Sequence, residues 1–128
     1  MALPIEIRPI GRVRRMSDEE CVLEFDPTLG DGLLGVEAGA KLDVLYWMHK
    51  LDASDRETLQ VHPRGDRSRS LRGVFCVRSP MRPNPVGVTE ATVVSVEGTR
   101  VRVTGLDAMD GAPIIDVKSA RLGKGARM

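Results

Sequence analysis

Apolar positions recur at intervals of two along much of this chain, the spacing that strands produce and helices do not. Ile5 and Ile7, followed by Ile10 and Val13, predict a first strand over 5–13, with Pro9 placing it at a sheet edge. A second short strand is expected over 21–25, closed by the turn-prone Asp26-Pro27. The glycine-rich stretch 30–39 has room for one helical turn around 33–37. Residues 42–49, Leu-Asp-Val-Leu-Tyr-Trp-Met-His, are dense in β-favouring side chains and read as a central strand. A polar stretch over 52–72 carries turn chemistry at Pro63-Arg64-Gly65-Asp66, and residues 73–78 read as a further strand.

The clearest pattern is a hairpin. Val88, Glu90, Thr92, Val94 and Val96 alternate with Thr89, Ala91, Val93 and Ser95; Glu97-Gly98-Thr99 then turns the chain into the alternating run 100–104. A last strand is expected over 113–117, after the turn Met109-Asp110-Gly111, and the tail 119–128 is expected to fray. Six or seven short strands without a strong helix predict an all-β fold, a small antiparallel β-barrel or sandwich with short helical turns. Aromatic residues make up only 3% of the chain, so its core must rest on Val, Leu and Ile.

At 128 residues the chain suits a single domain over 1–128. No apolar run reaches the length of a membrane span, and the first residues lack the pattern of a secretory signal, so the expected location is cytoplasmic. Cys21 and Cys76 form no CxxC pair and sit in apolar stretches, which predicts two buried thiols. With only His49 and His62 and no Cys/His cluster, no metal site is expected. Net charge is +1, but seven arginines against two acids between residues 56 and 82 put +5 there and −4 elsewhere. Arg64, Arg67, Arg69 and Arg72 belong to that stretch, which reads either as a solvated mobile loop or as a surface facing nucleic-acid phosphates.

Three segments carry candidate chemistry. In Arg78-Ser-Pro-Met-Arg82-Pro-Asn84-Pro-Val-Gly87, three prolines fix φ, remove three donors and push the residues before them into extended geometry. Such a stiff ribbon holds Arg78, Arg82 and the Asn84 carboxamide in set directions, as a binding wall would. In Asp107-Ala108-Met109-Asp110-Gly111, two carboxylates three apart suit ribose hydroxyls or a cationic group, though many ordinary turns share the pattern. In Tyr46-Trp47-Met48-His49, the histidine reads as a packed residue or a ligand, and Trp47 as core or stacking platform. Asp116 and Lys118 share a strand face and should pair. No GxGxxG after a strand, P-loop or G-x-S-x-G is present, so those cofactor and nucleophile sites are unsupported.

Gly73-Val-Phe-Cys-Val-Arg-Ser-Pro-Met-Arg-Pro-Asn-Pro-Val-Gly87 resembles the G-V-F-A-T-R-S-P-x-R-P-N-P-I-G signature of the TsaA-like domain family. Asp107 to Lys118 resembles that family's D-x-x-D-G-T-P-V-x-D-I-K motif, and Ile10-Gly11, residues 45–49 and residues 61–66 fit its shorter, archaeal-type members. The resemblance implies a small β-barrel that binds S-adenosylmethionine and works as a homodimer. Its TrmO-type members methylate N6 of a threonylcarbamoyl-modified adenosine beside the tRNA anticodon. Carried over, the cofactor positions are His49, Lys50, Arg78, Val88, Asp107, Ala108, Met109 and Asp110, with Arg82 and Asn84 shaping the methyl-transfer pocket.

The chain departs from the longer bacterial members in three places. Arg14-Arg15-Met16-Ser17 stands where they carry S-P-x-x-K, Ser119-Ala120 replaces the usual Pro-Tyr, and their C-terminal accessory domain has no counterpart in these 128 residues. Two further readings therefore stay open: the same donor with a small molecule or other RNA as acceptor, and a cofactor-binding barrel without catalysis.

Overall fold

Eight strands follow in chain order: β1 (Gly11–Arg15), β2 (Glu20–Phe25), β3 (Lys41–Trp47), β4 (Gln60–Val61), β5 (Arg72–Gly73), β6 (Val86–Glu97), β7 (Arg100–Thr104) and β8 (Pro113–Ser119). They are seen in a computed structural model that describes residues 3–121. Six of them close into an antiparallel barrel in the order β1-β2-β7-β6-β3-β8, and β4 pairs with β5 as a separate ladder. Closure is thinnest at β1 and β8, which share only Gly11↔Ile114 and Arg12↔Pro113. Three further bonds extend that seam: Ile10 N–H to Ile114 O (2.8 Å), Val13 N–H to Ala112 O (2.9 Å) and Gly111 N–H to Val13 O (2.7 Å). β1 also runs so close to β2 that a Cβ on Gly11 would collide with the Glu24 carbonyl.

Inward positions of successive strands meet in one core: Val13, Leu23, Val44, Val93, Val101, Val103 and Ile114 are each almost wholly excluded from water. Each such aliphatic side chain contributes on the order of 2 kcal/mol by leaving water. Among the described residues no charged side chain is buried. On β6 the buried set is Ala91 and Val93, while Val88 and Val94 face outward. The pairing jumps from Val93↔Val103 to Ser95↔Arg102, a bulge at Val94 that returns Val96 to the inside opposite Val101.

The barrel, the central strand and the hairpin match the sequence pattern; five local expectations need correction. The first strand starts at Gly11 rather than residue 5, and Ile5 and Ile7 are exposed, because Pro9 has no N–H and Ile10 is the first to bond β8. The helical turn is a 3₁₀ helix at Pro27–Leu33, opened by Pro27 and capped by the Asp26 carboxylate on Thr28 N–H (2.9 Å). The strand expected over 73–78 does not form: Gly73 ends β5, and the chain then makes a 3₁₀ turn, Val74–Cys76, that buries Val74 and leaves Phe75 82% exposed. Cys76 is consequently exposed, whereas Cys21 is buried as expected. At the tail, Ser119 ends β8 and buried Ala120 donates to Lys41 O (3.0 Å); residues 122–128 lie outside the described residues. Asp116 and Lys118 do pair, at 3.5 Å.

The loop between β7 and β8 is held from two sides. Arg15 donates Nε to Ala108 O (3.1 Å) and Nη2 to Leu106 O (2.6 Å) and Ala108 O (2.9 Å). Its Nη1 binds Ser17 O and Asp18 O, and its backbone N–H meets Asp110 Oδ1 at 2.8 Å. From the barrel side, the Tyr46 hydroxyl donates to Asp107 O and sits 3.0 Å from Thr89 Oγ1. The Tyr46 ring lies across bare Gly87, where a Cβ would stand only 2.5 Å from it.

Arg15→Lys should lower unfolding free energy by about 2 kcal/mol, since a point ammonium cannot replace the fork on two carbonyls. An unchanged urea midpoint would contradict this. Iodoacetamide should modify Cys76 in the native chain and spare Cys21, whose thiol is pushed above its ordinary pKa chiefly by burial. Mass spectrometry finding both labelled at equal rates would count against the fold described.

Candidate functional site

The prolines at 80, 83 and 85 remove three backbone donors from the 78–87 ribbon, and Arg82 gathers carbonyls of the ribbon and of the 3₁₀ turn before it. Its guanidinium donates to Ser79 O (2.9 Å), Val77 O (2.7 Å) and Val74 O. Further along, Met48 N–H binds Pro85 O (2.8 Å) and Trp47 pairs with Val86, so the ribbon is sewn to the end of β3. Arg56 clamps the outside: its Nε donates to Pro83 O (2.7 Å), its Nη2 to Asn84 Oδ1 (3.2 Å), and its charge stands 5.2 Å from the centre of the Trp47 ring.

Between this ribbon, the end of β3, the start of β6 and the β7–β8 loop lies a cleft of about 650 Å³. Six of the residues expected to bind a cofactor line it: His49, Lys50, Arg78, Val88, Asp107 and Met109. The segments that bring them are far apart in sequence, which is what a built site requires. Arg78 makes a single bond, Nη1 to Val88 O at 3.2 Å, and the Asp107 carboxylate has no hydrogen bond or ion pair among the described residues. His49 Nδ1 is buried without a partner among the described residues. Such an atom costs roughly 1–3 kcal/mol if nothing fills its hydrogen bond. The cleft thus offers an orphaned imidazole nitrogen, a free carboxylate, a mostly free guanidinium, and apolar surface from Trp47, Val88 and Met109.

The other expected residues are placed differently. Ala108 and Asp110 border a neighbouring hollow beside Arg15, Ala108 being buried and Asp110 accepting the Arg15 N–H. Arg82 borders the cleft with its fork held on carbonyls; Asn84 is outside the lining and holds Arg56. Of the four arginines expected to meet nucleic acid, Arg64 and Arg67 line a second hollow, Arg69 pairs with Asp66 at 3.5 Å, and Arg72 lies on β5. Hydrogen bonds from the Ser68 hydroxyl and N–H, aided by Arg69, hold the Asp66 carboxyl below its ordinary range.

Sequence reasoning missed Arg15 as the holder of the β7–β8 loop and Arg56 as the clamp on Trp47 and Asn84. Arg15 was legible only as a departure from a family pattern. Arg56 sits nearly thirty residues from the ribbon it fastens, and nothing in the local pattern announces it. Among the described residues no three His, Cys, Asp or Glu side chains converge as a metal would need. A larger hollow of about 990 Å³, walled by Leu29, Leu33, Leu34 and Val36, contains none of the expected site residues.

The family model described as the tRNA-methyltransferase O N-terminal domain matches residues 9–120. A probable S-adenosyl-L-methionine-binding protein of Methanothermobacter thermautotrophicus is 40% identical over 129 residues, covering 91% of this chain and 90% of its own length. An S-adenosyl-L-methionine-binding protein of Archaeoglobus fulgidus is 41% identical over 125 residues, covering 88% of this chain and 86% of its own. The crystal structure of TrmO from Pseudomonas aeruginosa superposes with a TM-score of 0.70 at 23% identity, over 98% of this chain. That likeness establishes the shared fold, and this chain spans 62% of the solved TrmO chain. With barrel, motifs and family model in agreement over most of its length, the chain belongs to the tRNA-methyltransferase O N-terminal domain family.

Proposed function

We propose that this chain binds S-adenosylmethionine in the 650 Å³ cleft and transfers its methyl group to N6 of a threonylcarbamoyl-modified adenosine beside the anticodon of tRNA. One observation carries the reading: the proline ribbon and the Asp107–Met109 segment face each other across one cleft. The residues present fit the donor. Asp107 supplies a carboxylate for ribose hydroxyls or positive charge, and the orphaned Nδ1 of His49 supplies an unfilled hydrogen bond. Arg78 and Lys50 suit the donor's carboxylate, and Trp47, Val88 and Met109 give apolar surface.

When bound, the cofactor would supply an electrophilic methyl carbon with a neutral thioether as leaving group, chemistry that depends on alignment and exclusion of water more than on a strong acid or base. The ribbon provides the alignment. Arg82 and Asn84 act there as positioning residues: the first fixes the carbonyls behind Arg78, the second holds the Arg56 clamp. Asp107, His49 and Glu90 are the cleft groups able to accept a proton released by the acceptor nitrogen.

The setting belongs to the same proposal: the cytoplasm, where tRNA is found, and a homodimer. Leu34, 94% exposed at the rim of the 990 Å³ apolar hollow, supports a covered face. No helix among the described residues is long and apolar enough to cross a membrane. A second reading, donor binding without transfer, is supported by the relatives' names, which speak of binding alone.

Calorimetry should detect S-adenosylhomocysteine at roughly micromolar Kd, with Arg78→Ala weakening it about tenfold or more by removing a charge-assisted contact. Absence of binding would remove the donor. Labelled methyl transfer to tRNA, with loss of the methylated adenosine from a deletion strain, should separate the two readings; donor binding with no transfer to any RNA would leave only the second.

A further inference from the structure

The arginine-rich segment is not a loose loop. β4 and β5 pair at Gln60↔Gly73 and Val61↔Arg72, and the tip between them is closed by its own hydrogen bonds. Gly65 N–H meets His62 O (2.9 Å), Asp66 N–H meets Pro63 O (3.1 Å), and Arg69 N–H meets Asp66 O (3.0 Å). His62 Nδ1 lies 2.9 Å from Arg69 O, which ties the ring across the tip. Arg64 is held at φ 57°, the only positive-φ residue other than glycine among those described. A side chain with a Cβ enters that region at a cost, so the tip imposes it on Arg64.

This tip overhangs a hollow of about 870 Å³ that shares Arg78, Ser79, Pro80 and Asp107 with the donor cleft. The two spaces therefore adjoin along the ribbon. Arg64, Arg67 and Arg78 against Asp107 give the hollow's lining a net charge of +2. Neither Arg64 nor Arg67 makes an ion pair or side-chain hydrogen bond among the described residues. The nearest acid in sequence, Asp66, is held by Ser68 and Arg69 and cannot neutralise them. Unpaired guanidinium forks beside a reaction cleft select oxyanions that accept two bonds at once.

We infer that the hollow under the β4–β5 hairpin is the phosphate-binding subsite for the RNA strand that presents the acceptor base, with Arg64 and Arg67 as its phosphate ligands. The inference rests on the proposed methyl-transfer reading, because it makes this hollow the acceptor side of the same site. It also narrows the arginine patch. Arg69 is held by Asp66 and Arg72 is absent from the lining, so neither takes part.

The test uses the full chain, a short synthetic RNA hairpin with adenosine in its loop, and S-adenosylhomocysteine as an independent probe. Arg64→Gln with Arg67→Gln should weaken hairpin binding roughly tenfold at low salt and flatten the log–log salt slope by about 1–2. Thermal melting and S-adenosylhomocysteine affinity should stay within error of the parent, and Arg69→Gln should weaken the hairpin by less than about twofold. Unchanged hairpin affinity in the double variant overturns the inference, as does equal loss in Arg69→Gln or no salt-sensitive binding by the parent chain. Adenosine monophosphate binding as tightly as the hairpin overturns the strand in favour of a small phosphate. Failure of the parent to bind S-adenosylhomocysteine sinks the donor reading instead, and is recognisable because the hairpin titration is read separately.

Discussion

Carbonyls left without backbone donors set the problem that this structure solves. The ribbon of three prolines, the 3₁₀ turn before it and the β7–β8 loop present carbonyl oxygens near the barrel end that their own N–H groups satisfy only in part. Two guanidiniums supply further donors. Arg82 collects the carbonyls of Val74, Val77 and Ser79, and Arg15 collects those of Leu106 and Ala108. A planar fork with five donors is suited to this work, because it fixes several acceptors with one side chain. With both segments held, Arg78 and Asp107 face a common cleft; without them, two irregular segments would have little to keep them in register.

Function follows from what these braces leave unpaired. Around them, hydrogen bonds are largely satisfied, yet among the described residues His49 Nδ1, the Asp107 carboxylate and most of the Arg78 guanidinium have no partner. Free polar groups of three kinds, gathered against apolar surface, are the residue types that a nucleoside bearing a charged tail would need. The barrel contributes rigidity, and the chemistry sits in its loops. A neighbouring hollow, lined by arginines unpaired among the described residues, adjoins the cleft at Asp107 and Arg78.

Much of this was legible in the sequence, for identifiable reasons. The hairpin of β6 and β7 was readable because alternation and Gly98 point the same way, and β3 because its side chains crowd one short span. The pairing of ribbon with acid turn followed from their motifs. Residues 73–78 misled because an apolar run looks alike whether it forms a strand or a turn; the deciding contact, Arg82 on the Val74 and Val77 carbonyls, is made from outside the run. Ile5 and Ile7 alternate like a strand but pair with no strand among the described residues. The split between Arg64 with Arg67 and Arg69 with Arg72 depends on where a ten-residue tip folds, which composition does not record.

The most direct test is the map of backbone amide shifts in the ¹⁵N-labelled chain as S-adenosylhomocysteine is added. The account predicts that perturbations concentrate at residues 46–51, 78–79, 87–89, 107 and 109, the walls of one cleft. Shifts concentrated instead around Leu29, Leu34 and Val36, at the larger apolar hollow, would contradict it.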